Sequence, residues 1–204
     1  MTSLAAAVLA GGRSSRMGHD KALISLGAET LIQRTCRVAI ASADAVYVVT
    51  PWGDRYRPLV PASVQFIAEH KTDSQGPLVA LVQALIWLRE QPEHTPEWVL
   101  LLACDMPNLS ATALSTWRTE LATIPLPYLA YLPQRQQRWE PLCGFYRAAA
   151  LESLQQYAIA SPTRSLQGWL NQHPVQPIPS VDDALLANLN TPAEFQQWQR
   201  AAKP

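Results

Sequence analysis

The sequence predicts an α/β fold with a mostly parallel sheet that is covered by helices on both faces. Segments with strand character alternate with segments of helical periodicity along the chain, which is the pattern of such folds. Residues 98–103 (WVLLLA) are apolar without a break, as is typical of a central strand covered on both sides. The 204 residues suit one domain, and we find no internal repeat or long linker in them.

The first half of the chain contains the clearest elements. Strands are predicted there because the segments are apolar or β-branched and end at Gly, Asp or Pro; they cover residues 4–10, 45–50, 64–68 and 98–103. Helices are predicted from apolar residues at spacings of three and four, over residues 29–41, 77–89 and 111–122. Pro77 suits the first position of the second helix, and Ser110 suits the N-cap of the third.

The second half is less regular, because prolines are concentrated there. We predict strands over 125–132 and 142–146, and helices over 148–157 and 163–170. Asn190-Thr191-Pro192 with Glu194 resembles the capped start of a last helix that ends near Arg200.

Composition excludes several functional classes. The formal net charge of zero argues against a generally basic surface for nucleic acid. The apolar segment 4–10 has no basic residue before it, and no run approaches the roughly 18 apolar residues of a membrane span, so we expect a cytoplasmic protein without a membrane partner. The three cysteines (Cys36, Cys104 and Cys143) are widely spaced, which favours buried reduced thiols over a disulfide framework or a zinc site.

The segment 9–21 (LAGGRSSRMGHDK) follows the first predicted strand and has the residues of a phosphate-binding loop. Gly11 and Gly12 allow a close approach of the backbone to a ligand, while Arg13, Arg16 and Lys21 place three cations within nine residues. The spacing fits neither a Walker loop nor a dinucleotide fingerprint. The alternative is a surface turn with solvated charges, but the full run after a buried strand favours phosphate binding.

Asp105 follows the apolar segment 98–103, where an uncompensated carboxylate is costly to bury. Mg²⁺ is a suitable partner, since proteins typically hold it by one or two carboxylates together with substrate phosphates. The alternative is an N-cap or turn aspartate ahead of Pro107. Ligands of parallel α/β sheets bind at the carboxyl ends of the strands, and the basic loop and Asp105 both follow such ends. This coincidence favours a magnesium ligand.

These residues resemble the signatures of the molybdenum cofactor guanylyltransferases, within the wider group of sugar and alcohol nucleotidyltransferases. The resemblance is carried, in order along nearly the whole chain, by residues 9–26 (LAGGRSSRMGHDKALISL), 76–78 (GPL), 104–110 (CDMPNLS), 140–147 (EPLCGFYR) and 188–195 (NLNTPAEF). It implies a Rossmann-like three-layer sandwich of the nucleotidyltransferase type with a mostly parallel mixed sheet. It also implies Mg²⁺-dependent transfer of GMP from GTP to molybdopterin, with release of pyrophosphate.

The resemblance further implies roles for individual residues. Leu9, Ala10 and Gly11 lie against the guanine in the family, and Gly12 and Arg13 continue the nucleotide loop. Lys21 contacts phosphate, and Asp105 binds both Mg²⁺ and nucleotide. Arg16, a cation of the same loop, is a further catalytic candidate on the residues alone. Thr50 and Glu69 fall where the family contacts nucleotide, although relatives often carry Asn and Asp there, and Ala80 replaces a usual glycine. Asn188 and Asn190 fall on the pterin side.

The same resemblance divides a single domain of residues 1–204 into a nucleotide-binding half, 1–110, and an acceptor-side half, 111–204. Other proteins of molybdenum cofactor synthesis and acceptor molybdoenzymes are expected partners. Two alternatives stay open: a cytidylyltransferase acting on molybdopterin or another acceptor, and a nucleotide-binding adaptor that has lost turnover. Gly11 favours GTP over CTP, because cytidylyltransferase relatives usually carry alanine there and a missing β-carbon leaves room for a purine.

Overall fold

The strands form where the sequence is apolar or β-branched, and seven of them build one sheet. A computed structural model describes residues 2–11, 20–69, 76–91, 95–179, 181–189 and 191–201. The strands of the main sheet are β1 (Leu4–Leu9), β4 (Ala45–Thr50), β5 (Val64–Ala68), β6 (Trp98–Ala103), β7 (Ala130–Leu132), β10 (Cys143–Arg147) and β11 (Val175–Pro177). Two short hairpins lie outside it: β2 (Ser25–Leu26) with β3 (Glu29–Thr30), and β8 (Gln134–Arg135) with β9 (Arg138–Trp139).

The sheet has the strand order β11-β7-β10-β6-β1-β4-β5. All neighbouring strands are parallel except at β10, which pairs antiparallel with both β6 and β7. The carboxyl ends of the other six strands therefore meet at one edge of the sheet, which we call the carboxyl edge. The amino end of β10 lies at the same edge, since Cys143 is paired with Leu102 of β6.

The central strands bury side chains on both faces, which makes the fold a three-layer α/β sandwich. In β1, Ala6 and Val8 belong to one core while Ala5 and Ala7 belong to the other. The helices that cover the sheet are α1 (Leu31–Ile40), α3 (Pro77–Arg89), α4 (Ala111–Glu120), α5 (Leu151–Ala160) and α6 (Leu166–Leu170). The remaining helices are the short α2 (Gly53–Tyr56) and the terminal α7 (Pro192–Ala201). None of the helices within the described ranges is long and apolar enough to cross a membrane.

Most predicted elements are present, and the differences have local causes. The predicted helix 29–41 begins only at Leu31, because Thr30 forms a capping box with Gln33. Residues 125–129 were wrongly predicted as strand; only Ala130–Leu132 pairs, since the prolines of this segment cannot donate to a ladder. Residues 163–165 precede α6, whose N-cap is Ser165. The last helix is capped by Thr191, whose hydroxyl accepts from the backbone N–H of Glu194 (3.2 Å).

Candidate active site

A pocket of about 210 Å³ opens at the carboxyl edge beside the ends of β1, β5 and β6; we call it the edge pocket. Six of the residues singled out from the sequence line it: Leu9, Ala10, Gly11, Lys21, Glu69 and Asp105. Ala80, at the start of α3, is a further lining residue of this pocket. The fold thus brings the end of β1, Lys21, two carboxylates and the start of α3 together, as parallel sheets do with their ligand sites.

Lys21 and Asp105 meet on the wall of this pocket. The Nζ of Lys21 lies 3.3 Å from Oδ2 of Asp105, and the two side chains are 19% and 21% exposed. They are 84 residues apart in sequence, and they meet because each follows one of the neighbouring strands β1 and β6 at the carboxyl edge. An ammonium and a carboxylate side by side, each still open to the pocket, are suited to a ligand that carries both phosphate and a cation.

Asp20 fixes the turn that presents Lys21. Its Oδ1 accepts from the backbone N–H of Ala22 (3.1 Å) and so caps the 3₁₀ turn Lys21–Leu23. Its Oδ2 accepts from the hydroxyl of the fully buried Tyr56 (2.7 Å) and from Nη1 of Arg55 (2.9 Å). Burial and the neighbouring Asp20 carboxylate raise the pKa of Tyr56, so its phenol stays a donor to Asp20. These contacts tie the Lys21 turn to α2.

Gly11 lets the Glu69 carboxylate lie directly against the backbone of the loop. A β-carbon at position 11 would fall 1.7 Å from Oε2 of Glu69 and 2.8 Å from its Cδ. Burial raises the pKa of Glu69. The room that the sequence predicted above Gly11 is therefore occupied by this carboxylate, which reaches into the pocket beside Leu9 and Ala10.

Thr50 and Asn188 lie behind the pocket wall. The buried Thr50 hydroxyl donates to the carbonyl of Ala10 (3.0 Å) and accepts from the N–H of Trp52 (3.2 Å), so its contacts are to the backbone beside the site. Asn188 precedes Leu189, whose N–H donates to the carbonyl of Asp105 (2.9 Å). The Oδ1 of Asn188 is buried and lacks a hydrogen bond within the described part of the chain. The chain after β11 thus returns to the Asp105 loop.

The thiols do not supply a nucleophile. Cys104 lines the edge pocket, but burial and the nearby Asp105 and Asp20 charges raise its pKa to about 12. Burial likewise raises the pKa of Cys36 and of Cys143 to about 12. All three are free and buried, as the sequence predicted.

The residues present fit a magnesium ion that takes most of its ligands from a substrate. Asp105 offers a hard oxygen ligand at the pocket surface. Within the ranges that the structure covers, no group of three His, Cys, Asp or Glu side chains gathers around one point. A site with one protein carboxylate is the kind in which phosphate oxygens and water complete the coordination of Mg²⁺.

Four of the singled-out residues lie outside the described residues: Gly12, Arg13, Arg16 and Asn190. Conversely, the structure adds Asp20, Arg55 and Tyr56, which sequence analysis did not single out. The position of Asp20 directly before Lys21, after a glycine loop, is the signal by which it stands out. Arg55 and Tyr56 leave no such signal, because their contact with Asp20 spans 35 and 36 residues.

Comparison with known proteins identifies relatives over nearly the whole chain. Residues 6–176 match the family described as the MobA-like NTP transferase domain. The chain is 44% identical to a probable molybdenum cofactor guanylyltransferase of Nostoc sp., over 96% of this chain and 90% of that protein. It is 41% identical to one from Synechococcus elongatus (97% and 98%), and 33% identical to a molybdenum cofactor guanylyltransferase of Pseudomonas syringae (91% and 88%).

Solved structures share the fold. The molybdopterin-guanine dinucleotide biosynthesis protein A of Archaeoglobus fulgidus superposes with a TM-score of 0.74 at 22% identity, covering 97% of each chain. A nucleotidyl transferase from Methanothermobacter thermautotroptrophicus superposes with a TM-score of 0.71 at 18% identity, covering 98% of this chain and 97% of the other. The chain thus shares its three-layer α/β sandwich fold with solved nucleotidyltransferase structures.

Proposed function

Because the chain belongs to the family of the MobA-like NTP transferase domain, we propose that it transfers GMP from GTP to molybdopterin, forming molybdopterin guanine dinucleotide and releasing pyrophosphate. The single observation that carries this proposal is the pairing of Lys21 with Asp105 in a pocket that also holds Glu69 against Gly11. The names of the curated relatives supply the substrates.

In this proposal residues 1–110 bind the nucleotide and residues 111–204 receive the acceptor. Leu9, Ala10 and Gly11 flank the guanine, and Glu69 reads it. A carboxylate accepts two hydrogen bonds side by side, which matches the N1–H and 2-amino group of guanine and has no counterpart on cytosine or adenine. Since an unpaired buried polar group costs about 1–3 kcal/mol, this contact favours GTP over CTP by roughly tenfold or more.

The reaction needs no general base. The phosphate monoester of molybdopterin has a second pKa of about 6, so most of it has lost both protons at neutral pH. One of its oxygens attacks the α-phosphorus of GTP, and the bond from that phosphorus to the β-phosphate oxygen breaks as pyrophosphate leaves. Lys21 neutralises charge on the phosphates, and Arg16 is proposed to do the same. Asp20, held by Tyr56 and Arg55, keeps Lys21 at this position.

Asp105 would hold Mg²⁺, which when bound supplies neutralisation of the phosphate charge. Thr50 fixes the carbonyl of Ala10 beside the base. Asn188 and Asn190 are proposed to belong to the acceptor side, where the segment after Asn188 is fixed to the Asp105 loop by the N–H of Leu189. We propose that the reaction takes place in the cytoplasm, because a reducing compartment keeps the three free thiols reduced. Other cofactor-synthesis proteins and acceptor molybdoenzymes are proposed partners for substrate supply and product delivery.

The test is a pyrophosphate-release assay with GTP, CTP, ATP or UTP, each with Mg²⁺ and with or without molybdopterin. The proposal expects release that requires GTP, Mg²⁺ and molybdopterin together, with the dinucleotide detected by mass spectrometry. Equal or better use of CTP would assign the cytidylyltransferase reaction instead. Tight GTP binding without turnover would identify an adaptor.

A further inference from the structure

A second pocket lies at the carboxyl edge on the acceptor side, under the β8–β9 hairpin. It has a volume of about 480 Å³ and is separate from the edge pocket. The hairpin provides Arg135, Arg138 and Trp139, and Gln167 of α6 and Asp183 complete the wall. We call it the hairpin pocket.

The two pockets share a wall. Leu142 lines the edge pocket, whereas its neighbours Glu140 and Pro141 line the hairpin pocket. This segment is fixed to the end of β6, because the N–H of Ala103 donates to the carbonyl of Leu142 (2.9 Å). A molecule that reaches across residues 140–142 therefore has one end beside Asp105 and the other under the hairpin.

The charges of the hairpin pocket decide what kind of ligand it suits. Two cations, Arg135 and Arg138, and two carboxylates, Glu140 and Asp183, line it together. Arg135 is already neutralised, since its Nε lies 2.7 Å from Oε1 of Glu140. The balance does not favour a multiply charged anion such as a triphosphate. It suits a flat, neutral ring that has both donors and acceptors on its edge, with the indole of Trp139 as an apolar partner.

The β8–β9 hairpin contains two features that lower its stability, one in its side chains and one in its backbone. Arg135 and Arg138 stand directly opposite each other across the two strands, and like charges in that position are destabilising. Gln136 and Gln137, which connect them, have φ values of 47° and 63°, a region that glycine or asparagine usually occupies. Within the described residues the side chain of Arg138 has neither a hydrogen bond nor an ion pair, so its guanidinium is available to a ligand.

We propose that the hairpin pocket binds the pterin ring of the acceptor. This inference rests on the proposed function and specifies the acceptor site within it. The 2-amino and N3–H groups of a pterin present two adjacent donors that match the Asp183 carboxylate. Its 4-oxo oxygen is an acceptor that matches the Arg138 guanidinium. The acceptor's phosphate then extends over residues 140–142 toward Lys21 and Asp105.

The experiment measures binding of free pterin (2-amino-4-oxopteridine) by its own fluorescence, and binding of GTP separately, with the full-length protein. Asp183→Asn and Arg138→Ala are each expected to weaken pterin binding by about tenfold, the loss of one charge-assisted contact, and to leave GTP binding within about twofold. Asp182→Asn and Arg89→Ala are matched controls. Asp182 only caps the turn Asp183–Leu186, where asparagine also caps, and Arg89 lies at the end of α3.

The outcomes separate this inference from the proposed function. In turnover assays the two pocket variants should raise the KM for molybdopterin by about tenfold and leave the KM for GTP unchanged. If wild-type protein transfers GMP while both variants keep the wild-type acceptor KM, the site assignment is wrong and the function stands. If the wild type forms no dinucleotide but pterin binding is lost in the variants alone, the site stands and the function fails. Displacement of pterin by inorganic phosphate, or no pterin binding to the wild type, overturns the assignment.

Discussion

Asp105 and Lys21 bring opposite charges to one wall of the edge pocket, and each side chain is less than a quarter exposed. Asp105→Asn keeps the shape of the side chain and removes its charge. We expect kcat/KM to fall by about a hundredfold or more, because a ligand for Mg²⁺ is lost where charge develops. Steady-state kinetics, with circular dichroism as the check on folding, measure this.

Asp44→Asn is the matched control for Asp105→Asn. Asp44 lies at the opposite edge of the sheet, where it accepts from the N–H of Leu4 (2.9 Å) and from Arg118 (2.6 Å). This control should lower stability and leave kcat/KM of the folded protein unchanged. A folded Asp105→Asn enzyme with more than about a tenth of wild-type rate would contradict the metal-ligand role.

Position 11 needs a glycine because the Glu69 carboxylate lies where a β-carbon would be, and not because of the backbone conformation of the turn. Gly11→Ala places a β-carbon 1.7 Å from Oε2 of Glu69, so the carboxylate must move away from the base position. We expect the affinity for GTP to fall by about tenfold and the preference over CTP to shrink. Titration calorimetry with both nucleotides measures the two effects.

The Glu69→Ala background tests the cause of that loss. The three heavy atoms nearest to the added β-carbon all belong to Glu69, so Gly11→Ala should have little further effect once that side chain is absent. Additive losses in the double variant would mean that the β-carbon collides with the nucleotide itself.

Among the elements, those of the nucleotide side are predicted well from sequence and those of the acceptor side less well. β4, β5, α3 and β6 have the predicted bounds, because Pro, Asp and a capping residue end each apolar segment within the chain itself. The edge strand β11 and the β8–β9 hairpin were not predicted. β11 contains two polar or proline positions in three residues, and its pairing with β7 depends on the whole sheet. The hairpin turn Gln136-Gln137 lacks the glycine or asparagine that indicates such turns.

The functional sites show the same difference in how well they are predicted from the sequence. The edge pocket was predictable, since the loop after β1 and Asp105 after β6 both follow the carboxyl ends of strands. The Asp20–Tyr56 contact and the hairpin pocket join elements that are distant in sequence, and periodicity contains no information about them.

The tie between α2 and the Lys21 turn is expected to position Lys21 for catalysis. Tyr56→Phe removes the donor to Oδ2 of Asp20 and leaves Arg55 as its partner. We expect stability to fall by about 1 kcal/mol and kcat to fall by roughly fivefold, with the KM for GTP nearly unchanged, because Lys21 acts most on the developing charge. Steady-state kinetics at a temperature where both proteins are folded measure the effects on kcat and on the KM for GTP separately.

Tyr128→Phe is the control, since Tyr128 precedes β7 at the amino edge of the sheet. It should leave kcat unchanged. A Tyr56→Phe enzyme that loses stability and keeps its kcat would make the Asp20 contact structural only.

The β2–β3 hairpin is tied to α1 through Glu29, and this contact makes stability depend on pH. The hydrogen bond from Arg37 is the main cause that lowers the pKa of Glu29; burial opposes it, and Arg34 adds to it. A lowered pKa contributes stability above the unfolded pKa of about 4.3 and loses it as the pH falls through the folded value. Glu29→Gln should therefore cost a few tenths to about 1 kcal/mol at pH 7, and less as the pH falls toward about 3.

Urea unfolding of both proteins across this pH range measures the difference. In an Arg37→Ala background the pH dependence of the difference should be smaller, because the main cause of the shift is gone. A difference that is constant from neutral to acid pH would contradict the lowered pKa.

Across the whole molecule, the charged groups at the two edges of the sheet have different surroundings. At the amino edge the buried Arg147 is held by Glu97 (2.8 Å), by the carbonyls of Tyr128 (2.9 Å) and Ile124 (2.6 Å), and by the ring of Trp98, 4.2 Å away. These contacts pair the buried cation with partners inside the chain. At the carboxyl edge the charged groups face two pockets instead. The described charged groups are thus paired inside the chain around Arg147 at the amino edge and line pockets at the carboxyl edge.

The three thiols report whether the sheet and its helices unfold together. Cys36 is in α1, Cys143 is in β10 and Cys104 lines the edge pocket; all are buried, and the pKa of each is about 12. In Ellman's reagent at about pH 8 the native protein should therefore react slowly, with one rate constant for all three thiols that follows global unfolding. GTP with Mg²⁺ should slow that common rate, because a ligand of the native state alone stabilises it by RT ln(1 + [L]/Kd). Peptide mass spectrometry of the labelled protein identifies each thiol, and Cys104→Ser removes the one beside the site. If Cys104 reacted faster than the other two, and GTP protected it alone, the edge pocket would open separately and the molecule would not unfold as one unit.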